Sequence, residues 1–399
     1  MTTVASATYG SVLRTPYVVR TFLPALLGRL SYGMVPLALL LCAQRAAGSY
    51  ALAGLATSLF GGASVLLSPV RGGLVDRYGA RRALVPLALA YAAPLVALAA
   101  LPWRGRAPLV ALFVLTLLAG ALTPPIGPTM RMLWGRLLPG KGALRRAYAL
   151  DTVCEELLFL SGGALVGLAL VVTGPAAALV GAAVLIAVGV VGMAASPVAA
   201  RPAGIATPRA TGGGMLRASG LLPFVAVLAA LGVCLGALDL LVLAHADAHG
   251  AARAVPWIMA ALSAGSAMGG LAFGRVAPSA AARAQLAVCA VALACLIAAC
   301  GAAPGPFTLT LGVAAAGVFL APAMTTAYLA AEDQAPPGAS TRAGTWLNTG
   351  FNAGSTVGAT LAGLAADHLP LGLCFVLAGA PVLVAAACTV RPEPRPSHV

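Results

Sequence analysis

Apolar runs of about twenty residues recur along the whole chain, separated by short polar turns, and no other feature limits its folding so strictly. A helix rising 1.5 Å per residue crosses about 30 Å of hydrocarbon in one such run. Inside hydrocarbon the backbone has no water to bond, so a chain built this way folds as membrane-spanning helices. The spans fall at 21–44, 50–70, 83–102, 107–129, 148–172, 175–195, 221–244, 254–273, 285–303, 306–331, 343–366 and 370–390. The expected fold class is an all-α membrane protein, with twelve transmembrane helices in two pseudo-symmetric six-helix bundles. Composition agrees: 60% of the 399 residues are hydrophobic and 9% charged, against about 25% charged in a soluble domain.

The net charge of +14 does not describe a nucleic-acid binder, because the arginines cluster in short turns between spans. With the N-terminus inside, the inner segments hold Arg14, Arg20, Arg71, Arg77, Arg81, Arg82, Arg131, Arg136, Lys141, Arg145, Arg146, Arg201, Arg209, Arg217, Arg275, Arg283, Arg342, Arg391 and Arg395. The outer turns hold only Arg45, Arg104, Arg106 and Arg253. That asymmetry places both termini in the cytoplasm and supports an even number of spans. Residues 1–16 carry no cleavable signal pattern, so the first apolar run is read as a retained span. The Pro-, Gly- and Arg-rich stretch 196–220 is the longest connection and divides an N-terminal bundle (1–195) from a C-terminal bundle and short tail (221–399). All eight cysteines lie in apolar stretches, without a C-x-x-C, and read as small hydrophobic residues.

Between the second and third spans stands Gly72-Gly-Leu-Val-Asp76-Arg77-Tyr-Gly79-Ala-Arg81-Arg82. Gly72 and Gly79 permit close backbone approach and a tight turn. Asp76, at the inner end of its span, can pair with an arginine, for which Arg131 is the candidate, or face the positive N-terminus of another helix. The motif has a partial twin: Gly269-Gly-Leu-Ala lies 197 residues later, with Phe273 in place of Asp76. Pro124 and Pro322, and Arg146-Ala147 and Arg342-Ala343, recur at nearly the same offset. This is the pattern of two parallel repeats, with a substrate site expected near the bilayer midplane.

Charges inside the spans are costly and therefore informative. An arginine at the position of Arg29, well inside the first span, costs at least about 2.5–3.5 kcal/mol unless it faces a partner or water. Asp151, Glu155 and Glu156 lie in the inner half of the fifth span, with Asp151 and Glu155 on one face at i, i+4. Glu155 and Glu156 are expected at the depth of Arg29 and are its candidate partners; Asp151 is expected to be shallow and to face cytoplasmic water. Burial and a nearby arginine act in opposite senses on a carboxyl group's hold on its proton. A carboxyl balanced between them can exchange a proton from either side, which makes Glu155 or Glu156 the proton-coupling candidate. A structural salt bridge between spans is the competing reading.

Asp239 in the seventh span, and Trp346, Asn348 and Asn352 in the eleventh, are substrate-cavity candidates. His245, Asp247 and His249 are expected in an outer turn as exposed polar residues rather than a metal site. Glycine pairs at i, i+4 (Gly163/Gly167, Gly232/Gly236, Gly265/Gly269, Gly354/Gly358) suit close helix packing. The chain has no phosphate-binding glycine loop with its lysine and no nucleophile–base or metal-ligand spacing, so neither an enzyme nor a cofactor is expected.

The 72–82 motif, the span count, the long central connection and the repeat together resemble the major facilitator superfamily of secondary transporters. Ser49-Tyr-Ala-Leu-Ala-Gly54, Ala147-Tyr-Ala-Leu, Gly236-Ala-Leu-Asp239 and Thr345-Trp-Leu-Asn-Thr are similar to stretches in a large bacterial group of that family. The resemblance implies alternating access by two rocking halves in a bacterial inner membrane. It also implies that the 72–82 loop staples the halves on the cytoplasmic side. One departure stands out: Leu160-Ser-Gly-Gly163-Ala-Leu-Val-Gly167 lacks the proline of the antiporter motif in the fifth span. The expected activity is export of a small amphipathic compound against protons, by a monomer, with the proton gradient as energy source. The alternatives are a polar-metabolite or sugar transporter, perhaps a symporter, and a non-transporting membrane sensor or scaffold.

Overall fold

Alanine, leucine, valine and glycine fill the apolar runs, and in a computed structural model of the chain the runs form helices, the fourth of them in two parts. Residues 9–48, 50–101, 108–138, 140–200, 220–251, 254–275, 281–336, 339–366 and 368–390 are described. Ser49, Arg104, Arg106, Arg201, Arg209, Arg217, Arg253, Arg391, Arg395 and most of the central connection lie outside them. Among the described residues the regular elements are α1 (Tyr9–Arg14), α2 (Val18–Ala47), α3 (Tyr50–Tyr78), α4 (Ala80–Ala100), α5 (Leu109–Leu122), α6 (Ile126–Leu137), α7 (Lys141–Val172) and α8 (Pro175–Ala194). They continue with α9 (Leu222–Ala248), α10 (Val255–Arg275), α11 (Ala282–Cys300), α12 (Pro306–Gln334), α13 (Ser340–Ala366) and α14 (Leu371–Val390).

Among the described residues, eleven helical stretches are long and apolar enough to cross a membrane, with α5 and α6 forming one of them, Leu109–Leu137, across a break. The twelfth expected span is α13, 27 residues long. Its length suffices, but Thr341, Arg342, Thr345, Asn348, Thr349 and Asn352 make it more polar than the rest.

Residues 1–212 and 335–349 form one compact unit, and 213–334 with 350–399 a second, so the first ten residues of α13 belong to the first unit. In the first unit α2 packs on α7 and α8, α4 on α5 and α8, and α3 on α5. The second repeats this scheme: α9 packs on α14, α11 on α12 and α14, and α10 on α12. Glycines bring α9 against α13, where a β-carbon on Gly232 or Gly236 would strike the backbone of Phe351 or Ser355. Gly120 and Gly317, 197 residues apart, occupy matching seams: each would strike backbone, at Phe60 and at Leu262.

Three expectations are corrected. The 72–82 segment is not an extended loop. α3 continues to Tyr78, and the turn is Gly79 alone, at φ 85° and ψ 156°, a conformation essentially restricted to glycine. Arg71 is thus a buried helix residue, not part of a basic turn. In α7 the close packing falls on Gly162, whose β-carbon would strike the backbone of Gly33, whereas Gly163 and Gly167 face open space. Finally, α9 runs through the expected outer turn to Ala248. His245 is 4% exposed and its ring stacks on that of His249 at 4.3 Å.

Candidate functional site

Prolines build the first part of the site. Pro124 and Pro125 have no N–H and interrupt the fourth span, which ends as α5 at Leu122 and resumes as α6 at Ile126. The resumed helix turns Gly127 and Arg131 toward α2 and α7. Arg29 of α2 then donates from Nη2 to the Gly127 carbonyl at 3.2 Å and from Nη1 to Asp151 Oδ1 at 2.9 Å. Arg131 Nε lies 3.2 Å from Asp151 Oδ2, and Arg131 Nη2 pairs closely with Glu155 Oε2. Trp134 Nε1 reaches Asp151 Oδ1 at 3.5 Å, and the Tyr148 hydroxyl donates to the Arg131 carbonyl at 3.0 Å. The Trp134 ring is itself held against Phe22, with centroids 5.0 Å apart.

Two arginines and two carboxylates thus form one connected network from α2, α6 and α7. With both carboxylates ionised it is formally neutral. Asp151 is 0% exposed, Arg29 2% and Arg131 4%, whereas the Glu155 side chain is 24% exposed. Burial of this kind is tolerable only because each charge is paired and hydrogen-bonded.

Asp151 is therefore not the shallow, water-facing residue expected. It is the partner of Arg29, the place expected for Glu155 or Glu156. The cause is the start of the helix: α7 begins at Lys141, seven residues before the expected span, so Asp151 stands roughly three turns into a helix packed on α2. Glu155 shares its face and pairs with Arg131, while Glu156 is half-buried on the adjacent face. The expected Arg131–Asp76 pair is likewise replaced, since Arg131 is held by Asp151 and Glu155.

Asp76 does the other thing open to it. Its carboxylate accepts from the backbone N–H of Thr341 at 3.1 Å and of Arg342 at 2.8 Å. The first turn of α13 has no acidic residue of its own, so Asp76 supplies the N-terminal cap from 265 residues away. The approach needs the glycines: a β-carbon on Gly72 would sit 2.6 Å from Thr345 Oγ1, and one on Gly73 would meet the Arg342 guanidinium. Arg77, Arg81 and Arg82 are exposed, and Arg77 lies over the Tyr78 ring, 5.2 Å from its centroid. Asp76→Asn should keep the fold and loosen this cap by about 1 kcal/mol. Hydrogen exchange at the Thr341 and Arg342 amides is expected to rise severalfold; unchanged exchange would remove Asp76 as their cap.

The cavity candidates are dispersed. Asp239 is exposed on α9 in the second unit. Trp346 and Asn348 are half-buried on the first-unit part of α13, and Asn352 is exposed on its second-unit part. Sequence reasoning missed Tyr32, Gly127, Trp134 and Tyr148. The Pro-Pro at 124–125 was the available signal, because a helix break redirects every residue after it.

Apolar helices of this length, one of them broken and three of them joined by a buried ion network, make a polytopic membrane protein. Residues 240–399 match the sequence profile described as Major Facilitator Superfamily. The human organic anion transporter MFSD10 (TETRAN) has the same fold, with TM-score 0.71 and 17% identity over 93% of this chain and 98% of that one. A bacterial homologue of the iron transporter ferroportin, in an outward-facing state, gives TM-score 0.72 at 12% identity, again over 93% and 98%. The same homologue soaked with iron gives 0.73 at 14% identity. No curated protein matches the sequence.

Proposed function

We propose that this protein exports a small amphipathic compound in exchange for protons, by alternating access, and that Glu155 carries the proton. The carrying observation is the contrast within the ion network: Glu155 is 24% exposed while its partner Arg131 is 4% exposed. The partial exposure of Glu155 supports access by protons, whose effect would be felt inside the network. With Glu155 ionised the network is neutral. Protonation leaves it with one net positive charge, shared by Arg29 and Arg131 around Asp151. Such a charge in a poorly solvated place biases the packing of α2, α6 and α7, which is the lever a coupling site needs. A structural salt bridge would need no accessible carboxyl.

Under this reading Asp76 and the α13 N-terminus form the inner latch, which must open once per cycle. The two bundles, 1–195 and 221–399, would rock about the 196–220 connection. The arginine asymmetry supports a topology with both termini in the cytoplasm, and the protein would sit in a bacterial inner membrane. The protein would act as a monomer, needing no cofactor. The spans are dominated by apolar side chains, which favours an amphipathic cargo. The relatives' cargoes, organic anions and iron, belong to those proteins; one fold serving both shows that it does not choose the cargo. A polar-metabolite symporter is the second reading. It draws on Trp346, whose indole N–H is buried without a hydrogen-bond partner, on a helix that also carries Asn348 and Asn352.

In proteoliposomes loaded with acidic buffer, proton exit should drive ethidium inward, the probe standing for an amphipathic cation. Glu155→Gln should reduce this pH-driven accumulation at least about tenfold. Accumulation indifferent to the pH gradient would remove proton exchange.

A further inference from the structure

The break between α5 and α6 removes more than a helix turn. In a continuous helix each N–H donates to the carbonyl four residues back. Pro124, Pro125 and Pro128 have no N–H, so the carbonyls of Gly120, Ala121 and Pro124 lose those donors. An unsatisfied carbonyl is costly in a medium without water.

Side chains stand where the missing donors would. Arg71 Nη1 donates to Gly120 O at 2.7 Å and to Ala121 O at 2.8 Å, the two carbonyls whose helical donors Pro124 and Pro125 delete; Gly120 O also accepts from Thr123 N at 3.4 Å and Thr123 Oγ1 at 3.1 Å. Its other terminal nitrogen, Nη2, bonds Ser64 O on its own helix. The Tyr32 hydroxyl donates to Pro124 O, the carbonyl that Pro128 leaves open, which also accepts the Ile126 N–H at 3.0 Å. Arg71 is 5% exposed, and its bonds to Gly120, Ala121 and Ser64 all go to backbone oxygens. A bundle of carbonyl oxygens at a helix break is the kind of place where transporters coordinate a cation. Here a tethered guanidinium fills it.

We propose that Arg71 and Tyr32 replace the backbone donors deleted by the three prolines, and that they thereby position α6 and with it Arg131. Arg71 is a positioning residue in this account. It touches no member of the ion network, but it fixes the point from which α6 delivers Gly127 O to Arg29 and Arg131 to Asp151 and Glu155. The positioning role rests on the reading of that network as the coupling site; the donor replacement does not.

Two reciprocal cycles on the full-length protein in detergent test the proposal without a substrate. Arg71→Met strips the donor from Ala121 O and leaves Gly120 O to Thr123 alone, and Pro124→Ala with Pro125→Ala leaves the Arg71 guanidinium competing for carbonyls that now have N–H donors. Each change alone should lower the thermal midpoint and raise amide exchange across residues 126–137 by roughly tenfold. Combined, they should cost less than Arg71→Met alone, because the restored N–H groups serve Gly120 and Ala121. Tyr32→Phe and Pro128→Ala form a milder cycle with the same sign, useful if Arg71→Met does not fold. Losses that simply add in both cycles would overturn the donor replacement. A uniform rise in exchange, not centred on 126–137, would overturn the positioning role. If Glu155→Gln leaves pH-driven ethidium transport intact while the cycles show compensation, the coupling reading fails and the donor replacement stands.

Discussion

Asp151→Ala is expected to be among the most damaging single substitutions in this protein, with little folded material surviving purification. Asp151 is completely buried and takes Arg29 Nη1 at 2.9 Å, Arg131 Nε at 3.2 Å and Trp134 Nε1 at 3.5 Å. Alanine deletes the shared counter-charge and strands Arg29 against α7. Removing one partner of a buried pair typically costs about 3–5 kcal/mol, set against a total stability of roughly 5–15 kcal/mol. Asp151→Asn keeps a carbonyl oxygen and the volume, and should fall between alanine and wild type. Arg29→Met combined with Asp151→Ala removes charges from both sides and should recover part of the loss. Thermal midpoints followed by size-exclusion monodispersity give the ranking. A midpoint for Asp151→Ala within a degree of wild type would mean that the network does not hold α2, α6 and α7 together.

Gly162→Val is the second large effect, and it acts through shape rather than charge. α2 and α7 touch backbone to backbone at Gly33 and Gly162, where any β-carbon on Gly162 would strike the Gly33 backbone. A β-carbon on Gly33 would in turn lie 2.8 Å from the Leu158 carbonyl. No side chain can move aside to make room, so valine must push the helices apart. Over-packing usually costs about 1–3 kcal/mol, and backbone against backbone belongs at or above the upper end. Gly33 is one turn beyond Arg29 on α2, so the same displacement lengthens the Arg29–Asp151 pair. Gly163→Val, one residue away, meets open space and should be nearly neutral. The pair of variants isolates the seam: equal thermal midpoints would contradict it, while a loss confined to Gly162→Val would support it.

How much of this was legible in the sequence depended on whether a residue's place follows from the chain alone. The apolar runs located the helices, because hydrocarbon leaves the backbone no alternative to bonding itself. Arg29 and the carboxylates of α7 could be singled out, since a charge in a span needs a reason. Their pairing could not. Asp151 looked shallow only because apolarity marks where the hydrocarbon begins, whereas α7 begins seven residues earlier, among charges a helix accommodates easily. Arg71 was misread as part of a turn for the same reason, as α3 runs on to Tyr78. Arg131 was matched to Asp76 because both lie toward the inner ends of their spans. The prolines redirect α6, and the α13 N-terminus comes to Asp76 from far along the chain; neither follows from spacing. His245 was placed in a turn by its neighbours' polarity, yet it is a buried residue of α9.

The account turns on the accessible carboxylate, and one experiment isolates it. A carboxyl that carries the proton is needed for uphill, pH-driven movement, but not for exchange of cargo across the membrane at equal pH. Wild-type protein and Glu155→Gln should therefore be compared in proteoliposomes for both pH-driven ethidium accumulation and ethidium counterflow without a gradient. The account predicts that Glu155→Gln loses the first and keeps the second at a rate comparable to wild type. Retention of pH-driven accumulation, or loss of both activities in a normally folded protein, would contradict it.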